Sequence, residues 1–276
     1  MPDYSYLSLA KLKTNFDLAT SDTTQDTAQR RVLEAASLLI DQETHRTFRV
    51  YLATRYYTAR SGSRLLLPDD LLAVTTLKTL TANSGGTRTY GDTWAAVDYD
   101  LEPYNAAVDL EPYTVIARNP EGDYSFPTGA RGVELAGRWG YWQDLETVAS
   151  TTAEVLDATE TAVDVTAGTD FAILDTILVD SEQMYVTGIA SNTLTVVRGV
   201  NGTTAATHVT ASVVQRYRYP ALIAEACGMQ ASRMFNRSRN APGGVTQSAE
   251  FGIVRPVRLD ADVRVQIEPY RALKAA

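Results

Sequence analysis

The sequence predicts an α+β protein: a helical bundle core with antiparallel β strands, plus an inserted small all-β domain. Three observations predict this class. A long amphipathic helical pattern follows residue 24, a second follows Pro220, and residues 149–216 contain no Lys or Pro and are rich in Thr, Val and Asp. We therefore expect the chain to divide into 1–148, the first part of the core; 149–216, the inserted β module; and 217–276, the remaining core helix and the tail.

The first helical pattern lies within residues 24–48. Its apolar residues recur three, four or seven positions apart, which places them on one face at 3.6 residues per turn. We expect that face to be buried and the polar face, which includes Gln29 and Glu34, to meet water. The predicted buried set is Ala28, Val32, Ala36, Leu39 and Ile40. Ser, Asp and Thr side chains at 21–24 are expected to cap the start of the helix.

Residues 49–142 read as strands joined by connections too short for crossovers, which favours antiparallel pairing. Pro68 is expected to break one of these strands. The segment NSGGTRTYG, residues 83–91, is expected to form a loop. Trp139 and Trp142 close the region, and we expect such aromatic residues to anchor a core or a subunit seam.

Residues 149–216 contain four or more short apolar runs separated by polar turn signals. Asn201 and Gly202 suit a tight turn with positive φ angles. This pattern predicts a compact β module that is inserted into the first unit rather than appended to it.

The second helical pattern begins at Pro220, which suits a first helical turn. Its small and apolar face runs from Leu222 to Met234 and permits close helix packing. A basic cluster occupies the final turns, where cations complement the helix dipole. Residues 243–258 are extended in character and sparsely apolar.

The residue inventory offers no basis for catalysis. Cys227 lies in an apolar run, so we expect a buried and inert thiol. His45 and His208 are too few for a zinc site. The sequence contains no phosphate loop, nucleophile elbow or HExxH motif. We therefore expect no enzymatic activity, no cofactor and no metal.

Charge is distributed unevenly along the chain. The net charge is −8, yet residues 217–276 carry nine basic side chains against five acidic ones. An acidic protein is a poor general binder of nucleic acid, because Lys and Arg supply most non-specific affinity for phosphate. The basic tail is expected to meet an acidic protein surface. No apolar run reaches 18 residues and no secretory signal is present, so we expect a soluble protein that does not enter a membrane.

The order of these parts resembles the head-to-tail adaptor, or connector, proteins of long-tailed bacteriophages and gene transfer agents. The resemblance covers residues 1–148 and 217–276. It rests on IDQETHRTF (40–48), LLLPDDLLAVTTL (65–77), GRWGYW (137–142), RMFNRSRN (233–240) and VQIEPYRAL (265–273). The intervening EQMYVTGIASNTLTVVRGVNGTTAATH (182–208) resembles a small β unit that recurs in phage virion proteins.

The resemblance implies a structural virion protein at the head-tail interface, assembled in the host cytoplasm. Its partners would be its own copies in a ring of about twelve, the portal protein, and a stopper or tail-completion protein. DNA would pass through the lumen without sequence-specific binding. The simplest members of the family lack the acidic β insertion, so its orientation stays open.

Two sets of residues are candidates for these contacts. The candidates for portal binding are Arg233, Arg237, Arg239, Arg255 and Arg258, although the tail could instead pack on its own subunit. The candidates for subunit packing are Val32, Ala36, Leu39, Trp139 and Trp142.

Two other functions remain open. One is a different neck or tail protein: a stopper, tail-completion or decoration protein. The other is a carbohydrate-binding or hydrolytic accessory protein, which requires Trp94, Trp139 and Trp142 to be exposed.

Overall fold

The computed structural model of the chain describes residues 4–16, 18–239, 246–248, 252–254 and 259–272. The chain divides into two compact units. The first, the helix-containing unit, is formed by Met1–His45, Asp144–Val200 and Thr204–Ala272. The second, the sheet unit, is formed by Arg46–Gln143 together with Asn201–Thr203. The predicted division at residues 149 and 216 stays a prediction.

Four helices of the described chain belong to the helix-containing unit: α1 (Leu9–Asn15), α2 (Asp26–Thr44), α4 (Ala221–Arg239) and α5 (Ala261–Ile267). The short α3 (Ala106–Asp109) belongs to the sheet unit. α2 packs against α4, and α4 against α5. Both long helical patterns of the sequence therefore form helices, and Pro220 precedes α4 as expected.

The buried face of α2 differs from the predicted stripe. Its fully buried residues are Gln29, Leu33, Ala36, Ser37, Ile40 and Thr44. Ser37 and Thr44 can be buried because their hydroxyls donate to the carbonyls of Leu33 and Ile40, one turn earlier, at 2.9 and 2.8 Å. The predicted side-chain cap is absent, since Gln25 occupies the N-cap position without a side-chain cap bond.

The sheet unit contains β1 (Tyr51–Tyr57), β2 (Arg64–Ser84), β3 (Thr87–Trp94), β4 (Tyr99–Glu102), β5 (Tyr113–Arg118) and β6 (Val133–Trp139). The strand order is β1-β6-β2-β5-β4, with β3 also paired to β2, and all pairs are antiparallel as predicted. One face covers a core that includes Leu65, Leu77, Leu135 and Trp139.

Two details of this sheet contradict the sequence prediction. β2 continues through Pro68 as a 21-residue strand, and a register shift between Leu66 and Leu71 accommodates the proline. Residues 83–91 are not a loop. They belong to a β2–β3 hairpin whose two-residue turn is Gly85-Gly86, both with positive φ.

The second sheet lies in the helix-containing unit. Its strands are β7 (Asp144–Thr151), β8 (Ala162–Asp164), β9 (Thr176–Val179), β10 (Glu182–Ala190), β11 (Thr193–Val197) and β12 (Val213–Arg218), in the order β7-β12-β9-β10-β11-β8. A bridge between Thr152 and Val165 joins the two ends of this order, just beyond β7 and β8. The sheet therefore closes on itself around an apolar core.

The predicted fold class is wrong, because the described chain is mostly β and has no helical bundle core. Two antiparallel six-stranded sheets contain more of the described residues than all the helices together. A further pair, β13 (Thr246–Ser248) and β14 (Gly252–Val254), lies in the tail. The error has a physical reason: helical periodicity is a strong local signal, whereas alternation in β2 is interrupted by bulges.

Candidate assembly surfaces

Arg233 and Arg237 are held by the chain itself. Arg233 forms a bidentate ion pair with Asp262, with both hydrogen bonds at 2.5 Å. Arg237 donates a hydrogen bond to the Asp260 carboxylate at 3.0 Å. The hydrogen bond from Arg233 lowers the pKa of Asp262 to about 2, although partial desolvation opposes the shift. These two cations therefore join α4 to the start of α5. Their role in portal binding stays a prediction.

The described part of the tail packs on its own unit. Leu259, Val263 and Ile267 are buried, and the backbone N–H of Ala272 donates to the carbonyl of Thr44 at 2.8 Å. Arg255 and Arg258 lie outside the described residues, as does the side chain of Arg239. Local packing thus accounts for residues 259–272.

The candidates for subunit packing fall into two groups. Ala36 and Trp139 are fully buried inside the chain, and the Trp139 indole N–H donates to the carbonyl of Ala53 at 2.8 Å. Val32, Leu39 and Trp142 are half-buried and reach the surface. Subunit packing through them stays a prediction. Leu38, an exposed apolar side chain on α2, is absent from the predicted set.

The tryptophan residues do not offer a carbohydrate platform. Trp94 stacks on Phe126 with ring centroids 4.5 Å apart and is buried, as is Trp139. Since a sugar-binding ring must be exposed, only the half-buried Trp142 could take that role. This removes the main support for an accessory function in carbohydrate binding.

A buried ionic network in the closed sheet surrounds Glu182, the first residue of β10, whose side chain is 0% exposed. Arg198 donates to both carboxylate oxygens at 2.6 and 2.7 Å, and the backbone N–H groups of Gly199 and Ala206 donate at 3.0 and 2.9 Å. His208 lies 2.9 Å away on its Nε2 side. Burial raises the pKa of Glu182, but these hydrogen bonds outweigh it and hold the pKa at about 2.

Arg198 and His208 also bind beyond Glu182. Arg198 donates to the carbonyls of Asp157, Glu160 and Ala206. These bonds hold the segment before β8 and the connection between β11 and β12 in place. His208 Nδ1 lies 2.7 Å from Asp180. From the sequence, His208 is considered only as a metal ligand. One sequence signal for this network exists. Glu182 and His208 are the first and last residues of the phage-like stretch 182–208, and Arg198 lies between them.

A polar cavity of about 450 Å³ lies elsewhere in the helix-containing unit. Lys11, Glu146, Asp175, Thr176 and Arg216 are among its lining residues. Burial raises the pKa of Asp175 to about 6, against the lowering effects of the Ala172 N–H and Arg216. The Thr176 hydroxyl is buried without a hydrogen-bond partner.

Cys227 is buried as the sequence predicted. Its thiol lies 3.4 Å from the Ser37 hydroxyl between α2 and α4, and burial raises its pKa to about 11. Such a thiol is protonated at neutral pH and inaccessible to reagents. Across the described residues, no group of three or more acidic, His or Cys side chains could hold a metal ion. Within the same residues, no helix is long and apolar enough to cross a membrane.

The strand edges of the sheet unit are protected unequally. Asn201–Thr203 lies against β1: a Cβ added to Gly202 would meet the Leu52 carbonyl oxygen at 2.2 Å, and Asn201 accepts from Arg49 at 2.7 Å. β4 is a four-residue edge strand. Beyond Leu80, whose N–H donates to the Gly132 carbonyl at 2.9 Å, the β2–β3 hairpin continues without pairing to any third strand among the described residues.

Comparison with known proteins gives a likeness to a solved structure. No protein-family model matches the sequence, and no curated protein shows significant similarity to it. A solved structure described as the neck of an empty GTA particle computed with C6 symmetry contains a chain that is 14% identical, with a TM-score of 0.44. The match covers 98% of this chain and 92% of that one. A TM-score below 0.5 does not establish a shared fold.

Proposed function

We propose that this chain is a structural protein of the virion neck in a tailed phage or gene transfer agent. In this proposal it forms an oligomeric ring that docks on the portal and extends the DNA channel towards the next neck component. Its copies, the portal and a stopper or tail-completion protein are the partners. The ring holds no reactive centre.

The observation that carries the proposal is the convergence of Glu182, Arg198 and His208. The stretch 182–208 resembles a β unit of phage virion proteins, and these residues stand at its start, middle and end. In the fold they meet within hydrogen-bond distance in a buried network. Their spacing therefore has a structural cause in this fold.

The surfaces of the chain also suit ring assembly. A closed ring requires heterologous contacts, in which two different surfaces of each copy meet. The described chain offers different surfaces of this kind: the half-buried apolar residues of α2 and the unpaired strand edges of the sheet unit. A net charge of −8 fits a DNA conduit, since like charge discourages the duplex from binding its wall.

Electron microscopy of the purified protein, alone and mixed with portal rings, tests the proposal. We expect rings that stack coaxially on the portal. A chain that stays monomeric with and without portal would refute the ring. A ring that forms but does not bind the portal would refute the adaptor role.

Truncation after Asn240 tests the tail separately. Portal binding by the basic tail predicts that truncated rings no longer dock. Because truncation also removes α5 and its ion pairs to α4, the triple variant Arg239→Ala/Arg255→Ala/Arg258→Ala is the sharper test. Undiminished docking of this variant would exclude Arg239, Arg255 and Arg258 from the portal contact and leave Arg233 and Arg237 as its candidates.

A stopper, tail-completion or decoration protein is the second candidate. The closed β sheet favours it, because the phage-like stretch 182–208 lies in this sheet and is not specific to adaptors. Labelling the chain in intact particles separates the two candidates, since only the adaptor contacts the portal directly.

A further inference from the structure

We infer that the tip of the β2–β3 hairpin of one copy adds as a strand to the β4 edge of the next copy in the ring. This inference rests on the proposed function, because it specifies the contact between ring subunits. The hairpin tip is defined as residues 80–90.

The tip lacks the usual protection of a free strand edge. Residues 81–87 are all exposed, and no third strand among the described residues pairs with 82–89. A two-stranded ribbon is marginally stable in water, and unpaired backbone groups on its edge are a template for another strand. Charged residues and proline normally block such edges, yet Arg88 is the single charged residue at 80–90 and no proline occurs there.

The hairpin register identifies the backbone groups that point outward. Ser84 pairs with Thr87 across the two-residue turn, so these two residues exchange hydrogen bonds. Hydrogen-bonded and non-hydrogen-bonded pairs alternate along an antiparallel ladder. The N–H and C=O groups of Arg88 therefore face away from β2, available to a new strand.

The same reasoning identifies the free groups of β4. The Asn119 N–H donates to the Asp98 carbonyl at 2.8 Å, so these two residues form a hydrogen-bonded pair. From this pair, hydrogen-bonded and non-hydrogen-bonded pairs alternate along β4 and β5. Asp100 and Glu102 consequently bond to β5, whereas the N–H and C=O groups of Tyr99 and Leu101 face outward. β4 has no strand on that side within the described chain.

One antiparallel register uses all four residues of β4. It places Arg88 opposite Leu101, so that their outward groups exchange two hydrogen bonds. Thr87 and Thr89 then lie opposite Glu102 and Asp100, where hydroxyl donors meet carboxylate acceptors.

The charges of the two strands are also complementary. Arg88 shares a face with Tyr99, a suitable cation–π partner two residues away on the neighbouring strand. No ion pair involves Arg88 within the described residues. The partner strand carries two carboxylates: Asp100, and Glu102, which already pairs with Arg64 of its own chain.

The contact joins two different surfaces of identical chains. Each copy donates a hairpin tip on one side and accepts one at β4 on the other. Such a heterologous contact propagates from copy to copy and closes into a ring when the rotation between copies permits.

Disulfide trapping between two singly substituted chains tests the register. Thr89 and Asp100 form a non-hydrogen-bonded pair in this register, with Cα atoms about 4.5 Å apart, which permits a disulfide. Thr89→Cys chains mixed with size-tagged Asp100→Cys chains should give a mixed dimer under mild oxidation. Cys227 does not interfere because it is buried.

Thr87→Cys is the matched control. It lies two residues from the position opposite Asp100, at a diagonal distance of about 7–8 Å that a disulfide does not span. It should therefore trap at least tenfold less mixed dimer with Asp100→Cys. Equal trapping by both variants, or trapping by neither in assembled rings, would overturn the inference.

A second pair of variants tests the backbone bond itself. Arg88→Pro removes the outward N–H while sparing the hairpin ladder, and Arg88→Ala removes the charge but keeps the N–H. We expect Arg88→Pro to lose ring assembly in analytical ultracentrifugation, and Arg88→Ala to assemble with reduced affinity. Circular dichroism checks that both variants fold.

The outcomes separate this inference from the proposed function. Rings that form equally well from wild type and Arg88→Pro would refute the hairpin contact and leave the ring intact. A wild-type chain that never assembles would refute both.

Discussion

The two six-stranded sheets differ in what happens to their strand edges. The sheet of β7–β12 joins its ends through the Thr152–Val165 bridge and encloses the ionic network of Glu182. The sheet of β1–β6 stays open, and its β2–β3 hairpin continues beyond the other strands. Closure removes the strand edges, whereas an open sheet leaves them available for pairing.

This difference suggests a division of roles. The closed sheet holds the buried charges of Glu182 and Arg198 through short internal hydrogen bonds and joins its two ends, so it needs no partner strand. The open sheet combines a well-packed core around Trp139 with unpaired edges, which suits a surface that gains strands on assembly. Four predictions test this comparison, from the largest expected effect to the smallest.

The largest effect is expected at the core of the open sheet. Trp139→Ala should lower the free energy of unfolding by about 3–5 kcal/mol, since it empties a fully buried site. It also leaves the Ala53 carbonyl without its indole donor. Urea denaturation measures the loss. Trp142→Ala, at a half-buried ring, should cost clearly less, and equal costs would contradict the assigned core.

The second effect is expected at the buried ionic network around Glu182 in the closed sheet. Glu182→Gln should lower the free energy of unfolding by about 3 kcal/mol, because the nearly buried Arg198 loses its counter-charge. Asp180→Asn is the matched control, since that carboxylate also contacts His208 but is 59% exposed. We expect the control to cost less than ~1 kcal/mol. A Glu182→Gln variant as stable as the control would show that the network is not required for stability.

The third effect is a pH dependence that originates beside the closed sheet. The pKa of Asp175 is raised by burial to about 6, from an ordinary value of 3.8, so the folded state holds the proton more tightly than the unfolded chain. Asp175 therefore lowers stability as pH rises from about 4 to about 6, by about 2–3 kcal/mol. Asp175→Asn should remove this decline.

Glu182 provides the contrast in sign. Its pKa is lowered to about 2, so its contribution to stability is complete above about pH 4.5 and is lost as pH falls towards 2. Denaturation of wild type and Asp175→Asn at pH 4 and pH 7 measures the difference. Parallel pH profiles for the two proteins would contradict the assignment to Asp175.

The smallest effect is expected at the exposed ion pairs of α4. Arg237→Ala should change the free energy of unfolding by less than ~1 kcal/mol, because Arg237 is 45% exposed and solvent screens its pair with Asp260. The predicted portal contact of Arg237 requires a second effect. If Arg237 also contacts the portal, this variant should dock more weakly than wild type at unchanged stability, and a pull-down with portal rings measures that.

Local signals in the sequence predicted part of this structure. The two long helices, the antiparallel strands and the buried Cys227 followed from periodicity, connection length and apolar context. The buried face of α2 did not, because Ser37 and Thr44 satisfy their hydroxyls within the helix and Gln29 is buried despite its polarity. Polarity alone therefore placed the helix face about one residue away from its true position.

The contact residues were less accessible to sequence reasoning. Arg233 and Arg237 looked like free positive charge, since nothing in the sequence pairs them with Asp260 and Asp262 more than 20 residues later. Trp139 looked like a possible seam residue, and the fold buries it completely. In each case the deciding partner comes from a different element.

Local sequence signals were sufficient to identify the two long helices, because helix formation depends on neighbours within a few residues. Three features arise only in the folded chain: the described residues are mostly β, β2 runs through Pro68, and one sheet closes while the other stays open. Each of these depends on strand pairing between distant segments, such as β7 with β12 and β1 with β6. Backbone hydrogen bonds pair any two compatible strands, so the side chains of a single segment do not specify its partner.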